Sequence, residues 1–336
     1  GIFLSWRLLG TDSKHVCFDV ERDGKIIAHQ VKLTNYTDRK GSSANTYRII
    51  TYQKEPRMDA PAEREVSKAV KPWNDLYRSL PINRPAGGVT PDGKSYEYTP
   101  NDCSVGDVDG DGCDEITYGS AAINHDGTLL YSTGLGHGDA QHLADLDPDR
   151  PGLEYYMVHE EYPYGSDLRD ARTGEILFRT LDKDDTGRGL AADIDAQHRG
   201  YELWCSDAPV VRDIKGKTVS AETSLSNKKN HEADHFGSNE KTSFRAVSRM
   251  PAMNFRIYWD GDLQDELLAN GRSPHFPPYL QKWNGSEAVA LPLSNGKQLY
   301  EMGNSVSCNW SKATPNLQAD LFGDWREEVI YWDKSD

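Results

Sequence analysis

Apolar and polar positions alternate in short runs through residues 1–70. Phe18-Asp19-Val20-Glu21-Arg22, Ile26 to Val31 and Thr46 to Thr51 are rich in β-branched and aromatic residues, which suit a pleated, half-buried surface. Asp23-Gly24 and the polar stretch Asn35 to Ala44 interrupt them, so they are expected as strands joined by turns. A small β-sandwich-like module over residues 1–70 is therefore expected. From residue 71 the texture changes to aromatics, prolines and glycines, with acidic knots between short strand-like runs. Helical periodicity is hard to find anywhere, and residues 71–336 are expected as a second, all-β domain.

The knots recur. Asp107-Val-Asp109-Gly-Asp111-Gly-Cys113-Asp114-Glu115 is followed by Asp145-Leu-Asp147-Pro-Asp149-Arg-Pro-Gly-Leu-Glu154 and by Asp193-Ile-Asp195 leading to Glu202. Asp260-Gly-Asp262-Leu-Gln-Asp265-Glu266 and Asp320-Leu-Phe-Gly-Asp324-Trp-Arg-Glu327-Glu328 complete the series. Each begins with closely spaced acids and ends in a glutamate that opens an apolar run. Such units cannot bury their apolar faces alone and stack as repeats. The expectation is an all-β, calcium-binding β-propeller.

Oxygen donors at positions 1, 3 and 5 with a glycine at 6 are what a hard cation needs to replace its water shell. Asp107, Asp109, Asp111, the carbonyl of Cys113, and Glu115 meet that pattern, with the glutamate closer than in an EF-hand loop. The same role is expected of Asp145, Asp147 and Glu154, and of Asp193, Asp195 and Glu202. Asp260, Asp262 and Glu266, and Asp320, are looser; there the competing reading is acids that hydrogen-bond turn backbones. His137-Gly138-Asp139-Ala-Gln-His142, with His159-Glu160-Glu161 further on, forms a second constellation. Imidazole and carboxylate together, here His137, Asp139 and Glu160, hold a metal or serve as acid and base.

Charge changes the picture. The chain carries a formal net charge of −15, which argues against nucleic acid or an anionic membrane surface as partner, since both need a basic footprint. Five divalent ions would offset ten of those charges. No run approaches the roughly 18 apolar residues of a membrane span, residues 1–10 do not read as a signal peptide, and a monomer is expected. Five scattered cysteines, an odd number without metal-type spacing, predict no disulfide framework.

Several long strings resemble the rhamnogalacturonan lyases of polysaccharide lyase family 11: Ser5-Trp-Arg-Leu-Leu-Gly-Thr-Asp12, Gly88 to Tyr96, Tyr131-Ser-Thr-Gly-Leu-Gly-His-Gly-Asp139, Asp185-Thr-Gly-Arg188-Gly-Leu-Ala-Ala-Asp193, Tyr258 to Asp262 and Ala319 to Glu328. The resemblance implies a bacterial enzyme, secreted, periplasmic or on the cell surface, that uses several Ca2+ ions. It implies cleavage of an acidic plant polysaccharide, rhamnogalacturonan, by β-elimination. Ser104-Val-Gly-Asp107 resembles an early blade of that family and Asp107 to Gly127 a later one, so two blades look fused here, which implies that some blades of the propeller are absent. Asn309-Trp310-Ser311-Lys312 is similar to the family's Asn-Gly-Thr-Lys segment. It implies Lys312 as base, with Asn309, Trp310 and Ser311 at the substrate, while Arg188 is implied to bind the uronate carboxylate beside a catalytic His137. Internal cutting is expected ahead of cutting from an end, although Trp310 in place of glycine points the other way. The aromatic rings of Trp310, Trp325, Tyr162 and Tyr164 suit sugar faces or blade cores. A calcium-dependent binding or adhesion propeller without catalysis is the competing reading, since fold does not decide function.

Overall fold

A computed structural model describes residues 1–8, 13–53, 64–73, 79–99, 102–220, 250–270, 278–293, 295–297, 305–306 and 314–333. Every regular element among these residues is a β-strand. None is a helix long and apolar enough to cross a membrane. Two compact units divide the chain, Gly1–Leu80 and Pro81–Asp336.

In the first unit Val16–Arg22 pairs with Lys25–Val31 on one side and Tyr47–Gln53 on the other, and Glu65–Val66 extends the sheet. Arg22 faces Lys25 across the two-residue turn Asp23-Gly24, both of whose φ angles are positive. That is the twist-matched hairpin turn that Asp-Gly favours, so the sequence pattern located both strands and turn. Ile2–Ser5 and Asn35–Asp38 form a separate two-stranded sheet. Buried Asp38 accepts hydrogen bonds from Arg22 at 2.6 Å and from the Tyr47 hydroxyl at 2.8 Å, so the charge sealed there is paired.

The second unit repeats one motif. Ser104–Gly106, Glu115–Tyr118, Ala121–Ile123 and Leu129–Ser132 pair in chain order as an antiparallel sheet. Gln141–Ala144, Glu154–Val158, Ser166–Asp170 and Ile176–Arg179 form a second. Gly189–Ala192, Glu202–Cys205 and Ala208–Arg212 form a third, and Phe255–Ile257, Glu266–Asn270, Pro278–Trp283 and Ala288–Ala290 a fourth. Leu317–Ala319 pairs with Glu328–Ile330. The stretch around Asp107, where two family segments look fused, closes into one four-stranded sheet.

Alternation along these strands serves two faces at once. Tyr155 and Met157 pack with Val108 of the sheet before, whereas Tyr156 packs with Ala191 and Leu203 of the sheet after. Trp204 and Leu190 look the other way, toward Leu267 and Trp283 of the fourth sheet. Leu268 and Leu280 continue the stack toward Val329. The second, third and fourth sheets are thus each sandwiched between two neighbours, which explains strands apolar on both sides. Trp204 is fully buried at the centre of its cluster. Trp204→Ala is expected to lower unfolding free energy by about 3–5 kcal/mol in urea titration, while Leu263→Ala, at a site 87% exposed, changes it by less than about 0.5 kcal/mol.

Candidate functional site

Each acidic knot is the loop between the first and second strands of a sheet, and each closes the same way. Glu115, Glu154, Glu202, Glu266 and Glu328 are all the first residue of a second strand. Their partners Gly106, Ala144, Ala192, Ile257 and Ala319 end the preceding strand. The glutamate carboxylate reaches back to backbone N–H groups at the loop's start. Leu146 and Asp147 donate to Glu154 at 3.0 and 2.9 Å, Ile194 and Asp195 to Glu202, both at 3.0 Å, and Trp259 and Asp260 to Glu266 at 2.8 and 3.2 Å. Val108 donates to Glu115 at 3.0 Å and Leu321 to Glu328 at 2.7 Å. Burial with only partial compensation raises a carboxyl pKa, and Glu202 is pushed up to about 8.

The aspartates fare differently from knot to knot. Asp107 accepts from Gly110, Asp111 and Gly112, and Asp320 repeats this with Gly323, Asp324 and Trp325. The backbone-capping role therefore operates in both. Asp107, Asp109 and Glu115 nonetheless bring carboxylate oxygens within 4.8 Å of one another, as do Asp260, Asp262 and Glu266. Asp111 gathers instead with His125 and the thiol of Cys113, where the spacing had suggested the Cys113 carbonyl. The Asp145 and Asp193 knots are not among the groups that converge in this way. Lys215 pairs with Asp147, Arg150 lies 3.5 Å from Glu154, and Asp195 accepts from the Trp283 indole at 3.0 Å. Their similar sequences thus lead to different surroundings.

A distinct constellation forms at the opposite end of the second sheet. Strand Glu154–Val158 runs on into His159 and Glu160, and backbone hydrogen bonds lace neighbouring loops to it. Glu160 N–H donates to the His137 carbonyl at 3.0 Å and Thr186 N–H to the His159 carbonyl at 3.1 Å. Gly138 is required there, because a Cβ would collide with the Val158 carbonyl. His137 Nε2 lies 3.2 Å from Glu160 and 3.6 Å from Asp139, and Asp139 and Asp185 both border Gly187. Burial, then the charges of Asp139 and Asp185, push the Glu160 carboxyl up. Burial and Asp139 do the same to Asp185. Crowded oxygens with one imidazole fit a divalent cation. Arg188 follows in the same loop, its carbonyl accepting from Ser206 at 2.9 Å.

Glu160 lies six steps along the chain from Glu154, at most about 20 Å at the rise of a strand. The knots therefore brace one end of the sheets, and the His137 cluster sits at the other.

The remaining histidines have other roles. His142 is half-buried and stacked on Tyr156, and desolvation takes it down to about 4, so it stays neutral. His159 is sealed in a network with Asp167 and Arg169. Burial opposes ionisation of Asp167, but the Arg169 charge and the His159 hydrogen bond hold its carboxyl below the usual range. Sequence reading did not single out Asp167 or Arg169; strand Ser166–Asp170 has Leu168 as its one apolar residue, so no local pattern announced that it is buried. Tyr162 and Trp325 are exposed rather than in a core. Asn309, Trp310, Ser311 and Lys312 lie outside the described residues. The four described cysteines are free thiols.

The chain matches the profile of the rhamnogalacturonan lyase family 11 C-terminal domain over residues 77–113 and 105–336. Residues 1–73 match that of the rhamnogalacturonan I lyase β-sheet domain. The chain belongs to family 11 of the rhamnogalacturonan lyases. It is 45% identical over 236 residues to rhamnogalacturonan exolyase YesX of Bacillus subtilis (strain 168), covering 68% of this chain and 34% of the relative. It is 27% identical over 546 residues to rhamnogalacturonan endolyase YesW of the same organism, covering 98% of this chain and 80% of the relative. The chain thus spans about a third of the first relative and four-fifths of the second. That second alignment is longer than the 336 residues here, so YesW contains stretches this chain lacks. The crystal structure of exotype lyase YesX superposes with a TM-score of 0.53 at 25% identity, covering all of this chain and 86% of that one.

The raised carboxyl of Glu202 carries a pH signature. Its folded value of about 8 lies above the ordinary carboxyl range, so the folded state holds the proton more tightly. Its contribution to stability is present below about pH 4.3, the unfolded value, and is lost as pH rises through about 8. In chelator, the melting temperature is expected to decline across that window, and Glu202→Gln to make the decline shallower.

Proposed function

We propose that this chain is a calcium-dependent lyase that cuts the rhamnose–galacturonate backbone of rhamnogalacturonan, with its stacked sheets arranged as propeller blades. The observation that carries this reading is the convergence of His137, Asp139, Glu160 and Asp185 beside Arg188, in a chain of this family. An adhesion propeller accounts for acidic knots but has no use for that cluster at the far end.

β-Elimination needs charge neutralisation at the uronate carboxylate and a base for the proton on the adjacent carbon. The C–H bond breaks, its electrons form a carbon–carbon double bond, and the glycosidic oxygen departs with the bonding pair and takes up a proton. Asp139, Glu160, Asp185 and His137 would hold a calcium ion, which supplies positive charge for an enolate-like transition state. The Arg188 guanidinium suits a carboxylate through two parallel hydrogen bonds. Lys312 is assigned as base through the resemblance of Asn309-Trp310-Ser311-Lys312 to the family segment, with Asn309, Trp310 and Ser311 at the sugar. It stands five residues before strand Leu317–Ala319, much as His137 stands four before Gln141–Ala144. The knots Asp107–Glu115 and Asp320–Glu328 are read as structural calcium loops. A polymeric plant substrate implies a place of action outside the cell.

The stretch 45% identical to an exolyase gives no support to the expected preference for internal cutting. We read the mode as cutting from chain ends.

Incubation with rhamnogalacturonan is expected to generate the ultraviolet absorbance of an unsaturated uronate, abolished by chelator. Arg188→Ala and Lys312→Ala are each expected to reduce the rate by about a hundredfold or more. Short products with little early loss of viscosity would mark end cutting. A flat trace from folded, calcium-loaded protein would leave binding as the function.

A further inference from the structure

We infer that the ammonium of Lys282 is the resident cation of the Tyr258–Asp265 knot, so that this knot closes on a side chain and takes no divalent ion. The register Leu267 to Gln281 sets Lys282 directly across the sheet from Glu266. Its Nζ donates to Asp260, to Asp262 at 2.6 Å and to Glu266 at 3.0 Å. An ammonium has three hydrogens and no acceptor, and here each hydrogen has a carboxylate.

Glu266 is almost completely buried, at 1% exposure, and a buried carboxylate requires a partner. In this knot the partner is already part of the fold. A calcium ion would need the same oxygens at 2.3–2.6 Å. It would then sit against a positive nitrogen that touches all three carboxylates, so the two cations exclude one another. Although partial burial works against it, hydrogen bonds to Asp260, Asp262 and Glu266 hold the lysine well above its usual range, so the charge persists at every physiological pH.

The Asp107 knot provides the contrast. Among the described residues its ion-pair partner is His125, 3.2 Å from Glu115 and 3.5 Å from Asp111, and no lysine ammonium is paired with those carboxylates. The family's acidic knots are therefore of two kinds in this chain. One remains available to a hard cation, and one is neutralised from within whatever the calcium supply.

Equilibrium dialysis with radioactive calcium tests this by counting bound ions per chain, with far-UV circular dichroism confirming the fold. Asp260→Asn and the more exposed Asp262→Asn are expected to bind as many ions as the unaltered protein. Lys282→Met, which keeps the aliphatic stem and removes the charge, is expected to bind one more. Loss of an ion in either aspartate variant, or an unchanged count in Lys282→Met, would overturn the assignment. The outcome is independent of lyase activity. An unaltered protein that binds no calcium would remove the calcium reading of the other knots, yet the Lys282→Met difference would still decide this one.

Discussion

The second unit depends on a buried glutamate that opens the second strand of its four larger sheets and accepts backbone N–H groups of the loop leading to it. Water is excluded at Glu115, Glu154, Glu202 and Glu266, so those N–H groups have little alternative to the carboxylate, and leaving one unpaired costs about 1–3 kcal/mol. The same carboxylate fixes where the loop turns, and in the Asp107 and Asp260 knots two preceding aspartates gather beside it. It also creates a demand for positive charge, because a carboxylate removed from water is costly unless paired. The chain meets that demand with different groups: Arg150 beside Glu154, His125 beside Glu115 and Lys282 beside Glu266. A repeated structural problem has separate solutions, which is why five similar loops need not be five similar ion sites.

Antiparallel order then separates support from chemistry. With knots joining first strands to second, the turn after the second strand and the link to the next sheet must lie at the opposite end. Glu160 follows a second strand, while His137, Asp139, Asp185 and Arg188 lie in links before first strands. Their meeting is a consequence of sheet order, and the backbone hydrogen bonds from Glu160 and Thr186 fix the loops in register. Beneath them, Arg169, Asp167 and His159 form a sealed ionic layer that ties the second and third strands of the sheet together where the loops leave it.

Much of this was legible in the sequence for a definite reason. Repeated acids ending in a glutamate are local, and so is the Asp-Gly turn, so both could be read from adjacent residues. His137, Asp139 and Glu160 were legible because glycines and a dense set of donors surround them. Lys282 was not, because it meets its knot across a strand pairing that no local pattern announces. Lys215 and Trp283 reach Asp147 and Asp195 from other sheets, and for that reason the Asp145 and Asp193 knots looked more alike in sequence than they are in space. Asp185 was visible only inside a family-like string, since its proximity to Asp139 depends on how two links converge.

Separation of the two ends also bears on the apparent conflict between a net charge of −15 and the acidic substrate proposed above. Screening at physiological ionic strength acts over about 8 Å, whereas the knots lie up to about 20 Å from the His137 cluster along the strand. Their charge contributes little where a uronate would bind. The local carboxylates are what matter: a like-charge pair 4 Å apart costs about 4 kcal/mol at an effective dielectric of about 20, roughly three powers of ten in affinity. Asp139, Glu160 and Asp185 would therefore repel a polyuronate unless a cation sat among them. The upward shifts of Glu160 and Asp185 come first from burial and then from the same repulsion within the protein. On the proposed function, the acidity of the His137 cluster and that of the substrate would call for one shared positive charge, with Arg188 as the chain's own contribution to it.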